Sequence, residues 1–563
     1  MSSPARILIA AAVGLALADA SVVTLALPEI LVELDTTVEG VAAVLGVYTL
    51  VLAVALPPAE WLRRRIGTAR LGVAGFAAFA VAGLGCGAVD SLTPLLVLRA
   101  AQAIGAAAGL VCGFHLLTAG EAGRRRLWTA VVIFGTAAGP ALGGTLTELF
   151  DWRAIFLVQA PIGTLAAVAC VRFLPADLAE APPAGEARHA RILPRRGEIE
   201  LGPTAALALV SAALSGVLFL LVLLLVSGWS ISPLAAAATV SVLPAAALLG
   251  ARIPGDPRLR AAAGCGLVGA GVLALAFLTS ASVAWTFVPM LLAGTGMGLA
   301  FTSLVGQLLP EDTPAETAFL LAIRHGGITL ALLLLAPITA AQLDGIVTDT
   351  RERGAALVLD AELPPLDKIE LANAVTAEFD PVDPRDTLRR SLEAPAADEG
   401  LDEADEYAEL TRRADETLVR GVDDAFGPAF LITGGLALLG AVFVLPRRDR
   451  SATRMSVGIV GAALAIAGCQ AILTTTLAPE RVAIADPCED RELPSAGGIE
   501  GIAQDVALAG LDRAACEFGS SREELAIAIV DEDAAQEYES EYGVDPRSIP
   551  ELAQGALGLR PGD

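Results

Sequence analysis

Pro203-Thr204-Ala205-Ala206-Leu207-Ala208-Leu209-Val210-Ser211-Ala212-Ala213-Leu214-Ser215-Gly216-Val217-Leu218-Phe219-Leu220-Leu221-Val222-Leu223-Leu224-Leu225-Val226-Ser227 runs without one charged side chain. At about 1.5 Å of helical rise per residue it is long enough to cross a ~30 Å hydrocarbon core. Similar runs recur on either side, upstream near 6–30, 40–58, 70–89, 94–118, 127–149 and 154–174. Downstream they fall near 233–251, 261–282, 284–309, 315–340, 427–445 and 455–476. Hydrophobic residues make up 55% of the chain, charged ones 18%, and mean hydropathy is +0.64. A soluble enzyme, a disordered chain and a small disulfide scaffold are excluded. The expectation is an all-α polytopic membrane protein: two six-helix halves and a thirteenth transmembrane helix.

The net charge of −25 is local. Segment 343–425 holds 23 Asp/Glu against 9 Lys/Arg, and 478–563 holds 20 against 6. Both lie outside the apolar runs. Lys368 is the only lysine among 38 basic residues, a usage typical of a GC-rich bacterial genome.

Arginines near span ends stay cytoplasmic. Arg63, Arg64, Arg65 and Arg70, then Arg124, Arg125 and Arg126, then Arg188, Arg191, Arg195 and Arg196 mark one side. Arg252, Arg258 and Arg260, and finally Arg447, Arg448, Arg450 and Arg454, fall on that same side. The opposite loops offer Glu33, Asp35, Asp90 and Asp151, with Arg153 the one basic residue. The expected organisation is an N-terminal half, 1–175, a cytoplasmic linker, 176–202, and five helices of the second half, 203–342. An acidic extracytoplasmic insert, 343–426, and a twelfth helix, 427–446, follow. A basic loop and thirteenth helix, 447–477, lead to a small helical extracytoplasmic domain, 478–563. Helical runs are read at Asp367–Phe379, Asp402–Val419, Ile499–Phe518 and Arg522–Tyr542. This places a multi-pass protein in a bacterial cell membrane, N-terminus inside and C-terminus outside. Two processing signals compete weakly: a signal-peptide-like start through Ala16, Ala18 and Ala20, and an internal lipobox-like Ile466-Ala467-Gly468-Cys469.

Cys86, Cys112, Cys170, Cys265 and Cys469 fall in apolar spans and read as small hydrophobes. Cys488 and Cys516 fall in the external tail, where conditions permit oxidation, and are expected to form a disulfide. No cysteine or histidine spacing suggests a metal site, and no cofactor or nucleic-acid partner is expected.

Several stretches resemble the major facilitator superfamily, in its drug:proton antiporter branch. Leu17-Ala18-Asp19-Ala20-Ser21-Val22-Val23-Thr24-Leu25-Ala26-Leu27-Pro28 resembles that branch's LDxTIVNVALP. Arg99-Ala100-Ala101-Gln102-Ala103-Ile104-Gly105 resembles RxxQGxG. Gly135, Gly139-Pro140 and Gly143-Gly144 fall on the antiporter pattern GxxxGPxxGG; Asp151-Trp152-Arg153-Ala154-Ile155-Phe156 and Pro161-Ile162-Gly163 continue it. The second half matches more weakly, through Gly228-Trp229-Ser230-Ile231-Ser232-Pro233-Leu234 with Pro244, and through Arg324-His325-Gly326-Gly327. One stretch departs: where the branch has GxLADRxGRR after its second span, Glu60 replaces the first Gly and Arg64 the Asp, with Gly67 kept. In the family that Asp helps lock the cytoplasmic gate. The resemblance implies a twelve-helix transporter core, with the thirteenth helix and external pieces as additions.

A charge near the middle of an apolar span normally has a partner or a task. Asp19 and Arg99 lie at similar depth, so they are expected to pair, with Asp19 carrying a proton. A static structural pair is the plainer alternative. Gln102, Gln159 and Arg324 are cavity candidates, although either glutamine is equally an interhelical hydrogen bond. His325 and His115 read as packing residues. The Gly/Pro cluster reads as a close-packed hinge. The expected function is a proton-coupled antiporter exporting small amphipathic compounds by alternating access, its partners being the lipid bilayer, protons and that substrate. The alternative is a non-transporting sensor or envelope assembly protein working through its external domains with a cell-envelope partner.

Overall fold

The computed structural model describes residues 3–118, 131, 138–172, 200–308, 314–364, 367–368, 371, 385, 388, 401–445, 450–489, 491, 493–494 and 498–556. Gly135, the linker arginines, Arg124 to Arg126, Arg447 and Arg448, and nearly all of the run Asp367–Phe379 lie outside the described residues.

The first half comprises α1 (Ser3–Thr24), α2 (Leu27–Glu33), α3 (Val38–Ile66), α4 (Thr68–Cys86), α5 (Leu92–Thr118), α6 (138–149) and α7 (Arg153–Arg172). The second comprises α8 (Leu201–Leu223), α9 (Pro233–Val240), α10 (Val242–Gly250), α11 (Pro257–Leu275), α12 (Ala284–Leu308), α13 (Pro314–Asp360) and α14 (Leu401–Phe443), followed by α15 (Arg450–Thr476). Twelve helices among the described residues are long and apolar enough to cross a membrane, and α6 is the second part of the remaining predicted stretch. Within each half the helices pack on one another; the halves meet chiefly where α3 lies along α13. Thr49 and Thr329 hydroxyls join those two helices at 2.9 Å.

Backbone chemistry shifts several predicted boundaries. The first span, read as continuous over 6–30, breaks after Thr24, whose hydroxyl donates back to the Ala20 carbonyl at 2.6 Å. Pro28 then sits in the first turn of α2, where its missing N–H removes no helical bond. The eighth span kinks at Ser241, because Pro244 cannot donate to the preceding turn. A π turn over Leu224–Gly228 closes α8 and leaves Ser230 at φ +53°.

The insert held the larger surprise. Predicted spans 315–340 and 427–445 are parts of the 47-residue α13 and the 43-residue α14. At about 1.5 Å per residue each exceeds twice the bilayer core, so both project as a stalk. Helix-favouring residues and exposed pairs such as Arg353–Asp349, at 2.9 Å, and Arg412 with Glu409 and Glu416 suit a helix in water. Leu357, Leu363, Tyr407 and Leu410 give the stalk its own small core.

Among the described residues of the tail there are four helices: α16 (Gly498–Phe518), α17 (Arg522–Val530), α18 (Glu532–Tyr542) and α19 (Ile549–Ala556). The single run expected over Arg522–Tyr542 is two helices, because the Asp531 side chain caps the amides of Asp533 and Ala534 and starts a new one. Cys488 is bonded to Cys516. Fully buried Arg522 donates to Asp360 at 2.7 Å and so docks the tail on the stalk.

Candidate functional site

α1 brings Asp19 against Arg99 of α5, and both are 0% exposed. The guanidinium engages the carboxylate at two points, Nη1 to Oδ1 at 3.0 Å and Nη2 to Oδ2 at 2.6 Å. Nη1 also donates to Gln102 Oε1 at 2.8 Å, and Nε to the Val44 carbonyl at 3.3 Å. Gln102 donates to Gln159 Oε1 at 3.0 Å, and Gln159 donates to Asp19 Oδ1 at 3.2 Å. The four side chains form a closed ring in which every bond but the Gln102–Gln159 amide link involves a charged group, the arrangement a buried ion pair requires. The guanidinium also lies 4.3 Å from the Tyr48 ring centre and 5.4 Å from that of Phe156. Tyr48 is itself fixed by its hydroxyl donating to the Ala16 carbonyl.

Of the two readings open for the glutamines, cavity wall or interhelical hydrogen bond, the bonds seen are interhelical. Both are buried inside this ring. Tyr48, Phe156 and Val44 were not anticipated, because aromatic rings and carbonyls are ordinary in any apolar span. The faint signal was Tyr48, one of only 4 tyrosines in the chain, placed inside such a span.

The opposite face of α1 forms a wall of a central cavity between the halves, through Ala20, Ser21 and Thr24. Pro140, Ser211 and Arg324 contribute further walls, and the room inside is about 70 Å³. That is well below the ~300–1,000 Å³ of a drug-sized pocket, so this conformation is contracted. Gly139 and Gly143 press α6 onto α1: added Cβ atoms would meet Ser21 Oγ at 1.9 Å and the Val22 carbonyl at 2.3 Å. Gly144 faces the other half, where a Cβ would lie 2.3 Å from Ala237 Cβ and 2.7 Å from the Pro233 carbonyl. Of the predicted cluster, Gly144 therefore sits on the seam between the halves and Pro140 on the cavity wall, while Gly139 and Gly143 pack within the first half.

The stretch read as a gate loop is mostly helix. α3 continues to Ile66, so Glu60 and Arg64 lie in its last turns, and the chain turns only at Gly67, φ +89°. Glu60 is buried and takes Arg63 through both oxygens, at 2.9 and 3.0 Å, and Arg64 at 2.8 Å. The one carboxylate of this stretch thus lies a helical turn before position 64 and is bound by arginines of its own helix. His325 is buried with Nδ1 2.7 Å from the Leu321 carbonyl, a packing role. No group of three or more potential metal ligands occurs among the described residues.

Comparison with known proteins places this geometry. Residues 9–340 match the family described as Major Facilitator Superfamily. The chain is 35% identical over 153 residues to a multidrug resistance protein, Stp, of Mycobacterium tuberculosis, a match covering 26% of this chain and 28% of that one. It is 34% identical over 181 residues to a methylenomycin A resistance protein of Bacillus subtilis, covering 31% and 39%. The matched stretches thus span about a third of these relatives. A bacterial homologue of the human lysosomal transporter Spinster, in an inward-facing and unoccupied conformation, shares the fold with TM-score 0.51 at 16% identity. It covers 79% of this chain and 98% of its own.

Proposed function

The chain belongs to the Major Facilitator Superfamily, and from that premise we propose that it is a proton-coupled antiporter exporting small amphipathic compounds across a bacterial cell membrane. As a member of that family it is a multi-pass membrane transporter. The observation that carries the finer reading is the sealed Asp19–Arg99 pair on the helix whose other face walls the cavity. A proton arriving on Oδ2 neutralises Asp19 and removes the acceptor of the shortest bond. The pair loses its Coulombic hold, and α1 is freed to move against α5 and α7. Because α1 also walls the cavity, protonation and cavity shape change together, which is the coupling antiport needs. Gly144 supplies a close contact along which the halves rock, while Gly139 and Gly143 hold α6 against α1. Arginine placement supports an N-terminus in the cytoplasm and both acidic pieces outside. The names of the drug-resistance relatives favour export of the same broad kind.

The test uses inside-out vesicles holding the full chain, an imposed proton gradient and amphipathic dyes of either charge. Gradient-dependent uptake that disappears in Asp19→Asn supports the reading. Folded protein that moves no dye across the panel points to the sensor or assembly role, which Glu60 and Arg64 at the gate and the large external pieces favour.

A further inference from the structure

Arg324 is the one charged side chain among the described residues lining the central cavity. It makes no hydrogen bond and no ion pair among the described residues. A guanidinium inside a helical bundle is costly unless it meets an anion. Ser211, on another wall, is 2% exposed, and its Oγ has no hydrogen-bond partner. Two other hydroxyls of the cavity wall or the helix carrying Arg324 do bond a carbonyl one turn back, Thr24 to Ala20 and Thr329 to His325, while the unpartnered Ser303 and Thr317 lie off the cavity wall. Ser211 makes no such bond. The cavity therefore presents an uncompensated cation and an idle donor. Among the described residues no carboxylate lines it, and most of its wall is apolar, including Leu214, Phe301 and Leu332.

We propose that this cavity takes the anionic head, carboxylate or phosphate, of an amphiphile, with Arg324 as its charge partner and Ser211 as a hydroxyl donor. The apolar part lies against Leu214, Phe301 and Leu332. Room of about 70 Å³ suits the head group alone, so the remainder enters as the halves part. This narrows the exporter reading, on which it rests for transport, from amphipathic compounds to amphipathic anions; the binding claim stands separately. Such an anion comes either from the bilayer, as a fatty acid, or from the aqueous phase, as an aromatic acid.

The experiment is calorimetric binding to the full chain in nanodiscs of zwitterionic lipid, with dodecanoate, 2-naphthoate and tetraphenylphosphonium as probes. Both anions bind the wild type more tightly than the cation does, and the tighter of the two identifies the source. Arg324→Gln weakens anion binding at least about tenfold, Arg324→Lys restores most of it, and Ser211→Ala weakens it several-fold. A wild type that binds the cation most tightly, or folded wild type that binds neither anion, overturns the proposal. So does Arg324→Gln with anion affinity within about twofold of wild type. If Arg324→Gln yields no monodisperse protein, Ser211→Ala and the wild-type charge comparison decide. Anion binding without Asp19-dependent uptake refutes antiport and leaves this site standing.

Discussion

Replacing Asp19 by Asn changes one oxygen and tests the coupling directly. The Asn Oδ1 still accepts from Arg99 Nη1, as Asp19 Oδ1 does at 3.0 Å. Its Nδ2 then faces Arg99 Nη2 where Oδ2 now sits at 2.6 Å, so two donors oppose each other. Arg99, 0% exposed, is left without its counter-charge. Breaking a buried pair from one side costs about 3–5 kcal/mol. At about 1.4 kcal/mol per decade, the equilibrium between sealed and released states moves by roughly two to three and a half decades. The sealed state is then scarcely populated and cannot alternate with the released one. In proteoliposomes carrying a pH dye, substrate added to wild type drives proton counterflow; Asp19→Asn gives none. Asp19→Glu, which keeps the charge, retains part of it. Counterflow in Asp19→Asn within about twofold of wild type would refute both the energetic estimate and the role.

Three further outcomes are expected. Gly144→Ala inserts a methyl 2.3 Å from Ala237 Cβ and 2.7 Å from a fixed carbonyl, so the seam is overpacked by about 1–3 kcal/mol. Its melting temperature falls and uptake slows; an unchanged melt would disprove the tight seam. Cys488→Ser opens a link across a sequence separation of 28, and chain entropy sets that loss at about 3–4 kcal/mol. It is read as earlier thermal unfolding of the tail that reductant no longer worsens. Lys368 in the insert donates to the Leu359 carbonyl, and burial lowers its pKa from 10.5 to about 8. The unfolded chain keeps that proton up to its ordinary pKa while the folded one releases it near 8, so stability rises with pH between those values. Below pH 8 both states are protonated and the dependence vanishes. Lys368→Met should flatten the slope in pH-dependent melts.

The pairing of Asp19 with Arg99 was legible because ionised groups are rare in apolar spans and these two lie at similar depth. Gln102 and Gln159 were legible only as polar anomalies. Sequence holds nothing that separates a cavity wall from a buried ring of hydrogen bonds one helix face away. Ser211 was invisible, since serine is commonplace in such helices and only its place on the cavity wall together with the missing backbone bond distinguishes it. The helical content of the insert could be sensed at Asp402–Val419, yet hydropathy stops at the bilayer surface and cannot report that a helix continues through it. The break at Asp531 turned on a side-chain cap inside an otherwise helical composition.

Because α13 and α14 run from the second half into the stalk as continuous helices, the two parts share one body. The Arg522–Asp360 contact fixes the tail near the far end of that body, where α13 stops. A tilt of a few degrees at the membrane thus becomes a sweep of several ångströms at the tip. Under the proposed transport cycle that sweep would reach whatever stands beside the stalk, like the motion of a lever whose fulcrum lies among the lipids.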